Sequence, residues 1–306
     1  MSRDSSGGLI ILKPKIKFIG FDSMGTRGMA TVVYTSSYKI FIDPGVSYAP
    51  RRYGLPPHEI ELERFNKHLE MIHDEIIDSD IIIISHYHRD HYLYRAGEED
   101  YYRGKIVYLK HPTQNINHSQ RVRAYILLNK MGIKDLVKEL KITDGLAYNI
   151  DKNLKIVFSD PVPHGEEGTP LGYVVMTLIE ANGLRILHAS DVQGPICQKA
   201  LDNIISWKPN ILIISGPPTY FEGYRIKSEV IDNAIENLLK ILKIEELDTI
   251  ILDHHLLRDL DFRKRLSRVY VEALIYGKNV LTAAEYMGME INQLEARRRE
   301  LWGNPR

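Results

Sequence analysis

The sequence predicts an α/β fold, and three observations carry that prediction. Strand-like and helix-like periodicities alternate along the chain, the pattern of a sheet covered by helices. Four consecutive isoleucines, Ile81 to Ile84, follow an amphipathic helix, which is the composition of a strand buried on both faces. A chain of 306 residues with 44% hydrophobic content can also bury a large core, at the upper end of what one α/β domain reaches.

The elements follow in order. Met1 to Gly8 is Ser/Gly-rich without the apolar stretch of a signal peptide, so residues 1–14 read as a disordered leader before a single domain over 15–306. Lys15 to Phe21, Ala30 to Tyr34 and Lys39 to Ile42 are strands, the first two separated by the turn-rich loop Asp22-Ser23-Met24-Gly25-Thr26-Arg27-Gly28. A loop rich in Pro, Arg and Tyr runs to Pro57. In the helix Ile60 to Ile77, the residues Leu62, Phe65, Leu69, Ile72 and Ile76 recur at helical spacing. Strands are expected at 81–84, 106–109, 154–158, 171–180 and 184–188, the last two joined by the hairpin turn Ala181-Asn182-Gly183. Helices are expected at 119–130 and 134–140, then at 197–206, 228–242 and 256–275, with strands 211–215 and 249–252 between them. The tail, about 281–302, reads as two helical pieces broken at Met287-Gly288-Met289 and docked on the domain. The spacing of Ala283, Ala284 and Gly288 also resembles a helix-turn-helix, which would turn Arg297, Arg298 and Arg299 toward DNA.

Composition excludes several functions. The 40 basic and 40 acidic side chains cancel, so no whole-molecule field draws in a polyanion, and nucleic-acid binding would need a local patch. Cys197 is the only cysteine, which rules out an intramolecular disulfide and any site of several thiolates. A buried small hydrophobe is the reading for it. No apolar run approaches the roughly 18 residues of a membrane span, and the expectation is a cytoplasmic protein without membrane contact.

The chemistry lies in His86-Tyr87-His88-Arg89-Asp90-His91. A loop leaving a strand can turn four such side chains toward one point, and imidazole with carboxylate suits a borderline divalent ion. The alternative is a histidine-rich surface loop without a role. His188 sits inside an apolar strand and reads as a hydrogen-bonded core residue, while His58, His68, His73 and His118 are scattered and read as structural or exposed.

The six-residue segment matches every fixed position of the HxHxDH signature of the metallo-β-lactamase superfamily, and the resemblance extends over about 15–276. It looks most like an archaeal group of hydrolases of that fold through 20–30, Asp43-Pro44-Gly45 and 50–56. The resemblance implies an αββα sandwich, two mixed sheets flanked by helices, with two divalent metal ions at one edge. By position, one ion would take His86, His88 and His164, and the other Asp90, His91 and His254, with His255 as the alternative closing ligand and Asp191 bridging. Asp43 would orient the histidine loop and Asp90 would accept a proton, the two catalytic carboxylates of this reading. Zinc is the first expectation for the ions, with manganese or iron as alternatives. Such a pair shares a hydroxide that is nucleophilic near neutral pH, so the implied reaction is hydrolysis.

Three loops are candidates for substrate contact. Arg51 and Arg52 could hold a phosphate or carboxylate, against the alternative of solvated surface arginines. His111 to Asn117, with Arg121 and Arg123 behind it, could line a pocket, although helix capping by Asn117 explains part of it. Tyr220 and Arg225 belong to an aromatic loop suited to a substrate lid or a homodimer contact. The span from Asp191 to His254 is too short for an inserted β-CASP domain, and no Gly-rich basic arm is present. The reading reached is a phosphodiesterase acting on a small molecule or oligonucleotide. Ester, thioester or lactone hydrolysis and a non-catalytic metal-binding module stand as its alternatives.

Overall fold

The computed structural model describes residues 13–303, so the expected leader lies outside the described residues apart from Lys13 and Pro14. Sheet one runs β1 (Lys15–Phe21), β2 (Met29–Tyr34), β3 (Lys39–Ile42), β4 (Ile81–Ile84), β5 (Ile106–Leu109) and β6 (Glu139–Ile142), in that spatial order. Its first three strands are antiparallel neighbours, and β3 to β6 run parallel. Sheet two contains β7 (Ala147–Asp151) and β8 (Leu154–Phe158). After the short pair β9 (Val162–Pro163) and β10 (Tyr173–Val174), the chain returns to sheet two as β11 (Thr177–Ala181), β12 (Leu184–Ala189), β13 (Ile211–Ser215), β14 (Thr249–Asp253) and β15 (Asn279–Leu281). The spatial order of this second sheet is β15-β14-β13-β12-β11-β8-β7, with β12 to β15 parallel.

Alternation along single strands builds the layers. Ile81 and Ile83 of β4 enter the core between the two sheets, while Ile82 and Ile84 face a separate core under helices, and all four are fully buried. That second core is closed by α1 (Glu59–Ile77), α2 (His118–Tyr125) and α3 (Ile133–Leu136). On the far side, Leu212 and Ile214 of β13 pack beneath α4 (Gln198–Trp207), α5 (Ser228–Ile241), α6 (Phe262–Arg265) and α7 (Ser267–Ile275), while Ile213 points to the inter-sheet core. The result is the expected αββα sandwich. Among the described residues no helix is long and apolar enough to cross a membrane.

Four expectations are corrected. The helix expected over 134–140 is only the single turn α3, and 139–142 pairs instead as the edge strand β6 along β5, since sheet pairing outweighs the helical propensity of Lys and Glu there. β7 had no counterpart in the expected elements. The strand expected over 171–180 divides into β10 and β11, and Val175 between them donates its N–H to Ser85 O. The helix expected over 256–275 is broken: His254–Arg258 form a 3-10 turn, and the side chain of Asp259 accepts from the N–H of Asp261 before α6 begins.

The tail forms two short helices, α8 (Ala283–Tyr286) and α9 (Arg298–Leu301). Ala283 and Ala284 enter the inter-sheet core, and Thr282 with Glu285 makes a capping box. Arg298 is fully buried. Its Nε and Nη2 donate to the two oxygens of Glu61 at 2.7 Å each, and its remaining donors reach the carbonyls of Ala49 and Leu55. The three consecutive arginines therefore do not form one DNA-facing surface.

Arg298→Ala is expected to leave Glu61 as an unpaired buried charge and to cost about 3–5 kcal/mol, whereas replacing both residues by Leu and Met recovers most of that loss. Urea denaturation of the two variants checks it. A single variant as stable as the parent would show that Glu61 reaches water.

Candidate metal centre

The parallel strands of both sheets point their carboxyl ends at one edge of the sandwich, where side chains from separate loops can converge. Asp43, Asp191 and His254 stand at or just beyond the ends of β3, β12 and β14, with φ of 48°, 53° and 57°. Backbone in this left-handed region costs non-glycine residues energy and persists only where the surroundings hold it. The holding contacts are visible. Asp43 accepts from the backbone N–H and hydroxyl of Ser85 (2.8 and 2.6 Å) and from His91 Nδ1 (2.9 Å). Two residues on, Gly45 packs so close that a Cβ there would stand 2.3 Å from the amide nitrogen of Tyr92.

Ser85 Oγ has a single proton, and Asp43 takes it; its lone pair then accepts from His86 Nδ1 at 2.9 Å. His254 gives Nδ1 to Asp22 at 2.7 Å, and the other Asp22 oxygen accepts from Arg258 Nε at 2.8 Å. The side chain of Asp253 receives the backbone N–H of Ser23, His254 and Ala283, which fixes the turn carrying His254. Gln193, 3.3 Å from His164 Nδ1, braces that ring. In each case one ring nitrogen is occupied by a fixed partner and the other faces the interior, where His254 Nε2 also has Arg258 Nη2 at 3.4 Å.

Those free atoms meet around Asp191. Its Oδ2 lies 2.7 Å from His164 Nε2, 3.2 Å from His86 Nε2, 3.5 Å from His91 Nε2 and 3.9 Å from His88 Nδ1. Its Oδ1 lies 3.2 Å from His254 Nε2, which in turn is 3.9 Å from Asp90 Oδ2. His86 Nε2, His91 Nε2 and Asp191 Oδ1 are buried without a hydrogen-bond partner. Orphaned lone pairs of this kind, converging from nitrogen and oxygen donors, fit a divalent ion. The atoms form overlapping compact groups: His86 with His88, His164 and Asp191; Asp90 with His91 and His254; Asp43 with His86 and His91; and Asp191 with His254 and His255. All seven expected ligands are thus brought together. His255 also comes near Asp191 and His254, but its ring stands against His164 and lines the open cleft.

Charge within the cluster is tightly coupled. Burial opposes the charge of Asp191, yet His91, His164 and His254 hold its carboxyl well below the usual range. Burial, aided by His91, pushes His86 down to about 3. His254 goes the other way, to about 9, because Asp191 and Asp22 outweigh its burial.

A cleft of about 1020 Å³ opens over the cluster. Among the described residues it is lined by Arg27, Arg51, Arg52, Arg89, Arg123, Arg225, Arg258 and Arg299, with no lysine, and its acidic residues are Asp90 and Asp191 of the cluster itself. All four expected substrate contacts, Arg51, Arg52, Tyr220 and Arg225, lie on its wall. The 111–117 segment does not. Asn117 caps α2 and holds the carbonyl of Pro170, and Gln120 accepts from Tyr87 N, bracing the histidine loop from behind. His188 is a core residue bonded to the Met29 carbonyl, as expected, and the Cys197 thiol is buried. Sequence reasoning missed Asp22 and Arg258. The only signal for Asp22 was an acid at the start of a turn-rich loop just past a strand.

A two-sheet αββα sandwich with a histidine and carboxylate cluster at the strand ends defines a protein of the metallo-β-lactamase fold. No family model matches the chain. It is 43% identical over 295 residues to a UPF0282 protein of Methanopyrus kandleri, a match covering 93% of this chain and 98% of that one. To the UPF0282 protein of Aeropyrum pernix it is 42% identical over 291 residues, covering 94% and 98%. The chain belongs to the UPF0282 family. Among solved structures it is similar to unliganded yeast PDE1 (TM-score 0.52, 13% identity, covering 88% of this chain and 98% of that one). It is also similar to an isothiocyanate hydrolase from Delia radicum gut bacteria (TM-score 0.51, 15% identity, 88% and 95%). At these identities the likeness is one of fold.

In the metal-free protein His254 is expected to titrate near 9. Its folded value lies above the unfolded one, so the stability it contributes is complete below about 6.5 and is lost as pH rises through about 9. Asp22→Asn is expected to return the titration toward about 6.5. Nitrogen-resolved NMR of the ring reads this directly, and an unmoved midpoint would remove Asp22 as its partner.

Proposed function

We propose that this protein is a metal-dependent hydrolase that cleaves phosphodiesters. The observation that carries the reading is the convergence, at one sheet edge, of seven imidazole and carboxylate groups, with His86 Nε2, His91 Nε2 and Asp191 Oδ1 buried and lacking a hydrogen-bond partner among the described residues. In this reading His86, His88 and His164 hold one divalent ion, and Asp90, His91 and His254 hold a second. Asp191 lies between them, and His255 remains on the cleft wall. Zinc suits the nitrogen and oxygen donors, as do manganese and iron. When bound, such ions lower the pKa of water so that hydroxide is available near neutral pH.

The chain's own residues do the rest. Asp43 and Asp22 fix the rings of His91 and His254, which keeps the donor atoms aimed inward. Asp90 is the more exposed carboxylate of the cluster, its side chain 18% accessible against 2% for Asp191, and is the group placed to take a proton from the attacking water. Arg258 is buried with its Nε tied to Asp22, its Nη1 3.5 Å from the Tyr220 hydroxyl and its Nη2 against the His254 ring, and it lines the cleft. Guanidiniums at a dinuclear centre bind phosphate oxygens in pairs and offset charge that grows as the bond breaks. The five cleft arginines without a carboxylate within 4 Å among the described residues, Arg51, Arg89, Arg123, Arg225 and Arg299, favour the phosphodiester over a neutral ester, thioester or lactone, which has no use for them.

Purified protein is expected to hold about two equivalents of metal by elemental analysis and to hydrolyse bis(p-nitrophenyl) phosphate. His88→Ala and Asp191→Ala should each lose at least about 100-fold in kcat/KM while keeping a native circular-dichroism spectrum. Turnover confined to lactones and thioesters in a parallel panel would overturn the substrate assignment. Full activity in the metal-free protein would overturn the reaction.

A further inference from the structure

We infer that the cleft contains a second phosphate-binding and base-stacking subsite, apart from the metal cluster, and that its ligand is a single-stranded oligonucleotide. The reaction assumed is the phosphodiester hydrolysis proposed above, but the inference stands on different residues. They form a ladder of alternating rings and guanidiniums along one wall. Arg299 lies over the ring of Tyr53 at 4.5 Å, and Arg52 lies between Tyr53 and Tyr220 at 4.6 Å from each. Tyr220 packs on Phe221 at 4.1 Å, and Arg225 covers Phe221 at 5.0 Å. Three segments distant in sequence supply these groups, namely the loop after Pro50, the turn at 219–225 and α9.

Arg52 has Glu295 3.9 Å from its Nε, but the charge at the two ends of the ladder is unanswered. Arg225 and Arg299 are exposed, and neither has a carboxylate within ion-pairing distance among the described residues. Arginines on the nearby helical surface are paired: Arg263 with Glu285, Arg265 with Glu222 and Asp232, and Arg268 with Glu236. A guanidinium stacked on an aromatic ring keeps its edge donors free, and that edge matches a phosphate. Tyr224, 78% exposed on the same wall, and Tyr53, 41% exposed, keep ring surface open on which unpaired bases stack, and stacking tolerates any base because every base has a π-face. A duplex base offers no free face. None of the ladder's groups belongs to the histidine and carboxylate cluster, so a phosphodiester held at the metals alone gives them no role. The absence of lysine from the wall agrees with recognition by stacking and paired hydrogen bonds instead of by point charge.

The test uses the metal-loaded protein and oligothymidylates of two, four and six nucleotides at fixed ionic strength. kcat/KM is expected to rise at least tenfold from two to six nucleotides, and in Arg299→Ala and Arg225→Ala that rise should shrink below threefold. Fluorescence anisotropy with fluorescein-labelled hexathymidylate supplies a readout independent of turnover. Each variant should bind at least tenfold more weakly than the parent, with a shallower dependence on salt. A flat length series together with variant affinities equal to the parent's would overturn the subsite while leaving phosphodiester hydrolysis intact. Binding that depends on Arg299 but without cleavage at any length would support the subsite and overturn the hydrolase reading instead.

Discussion

A carboxylate surrounded by five imidazoles in a water-poor interior is the arrangement the rest of this structure serves. Asp191 is 1% exposed, and its oxygens lie within 3.9 Å of ring nitrogens from His86, His88, His91, His164 and His254. Each ring has two nitrogens, and if both were loose the cluster would rotate and hydrogen-bond to itself. Four of the five instead have a polar partner at Nδ1: Ser85 for His86, Asp43 for His91, Asp22 for His254 and Gln193 for His164. Three of these partners, Asp22, Asp43 and Ser85, come from sheet one, at the ends of β1, β3 and β4. The strand ends of both sheets must therefore lie in register across the sandwich before the cluster can exist. The left-handed backbone at Asp43, Asp191 and His254, of order 1–3 kcal/mol each, is offset by these same hydrogen bonds.

The C-terminal segment takes part in this scaffold. Asp253 accepts from Ser23 N, His254 N and Ala283 N, so one buried carboxylate ties together the loop carrying Asp22, the turn carrying His254 and the start of α8. Burial lifts that carboxyl to about 6 even against three donated hydrogen bonds. Ser23 Oγ accepts from Ala284 N, and Glu295 binds Arg27 through both oxygens at 2.5 and 2.7 Å. The tail thus joins the cleft wall, where α9 places Arg299.

Most of the cluster could be read from sequence because its parts are local. Six residues from His86 to His91 carry four donors, and the flanking isoleucines mark the strand that presents them. Asp43, His164, Asp191 and His254 could be placed only by resemblance, since each follows a strand far away in the chain. Asp22 was beyond reach: its partner His254 is 232 residues on, and an acid beside Ser23, Gly25 and Gly28 has the composition of an ordinary turn. Arg258 was absorbed into a helix that the apolar spacing of 256–275 suggested. What breaks that helix is the need to bring Leu256 and Leu257 into the core while Arg258 reaches Asp22. Arg298 misled for the converse reason, because a run of three arginines looks solvated until Glu61 is known to lie opposite.

Charge shows the same separation between bulk property and local arrangement. Forty acids balance forty bases, which led to the expectation that no field would draw in a polyanion. Elsewhere acids pair with arginines and lysines, as Glu75 with Lys17 and Lys39 and Glu222 with Arg265, and around the cleft the fold leaves Arg51, Arg89, Arg123, Arg225 and Arg299 without a carboxylate within 4 Å among the described residues. The two carboxylates that do line the cleft, Asp90 and Asp191, are held among imidazoles, so they do little to neutralise its wall. A neutral protein can therefore present a strongly positive trough. Because field lines concentrate in a concave site with low-dielectric walls, that local excess, and not the net charge, decides what enters.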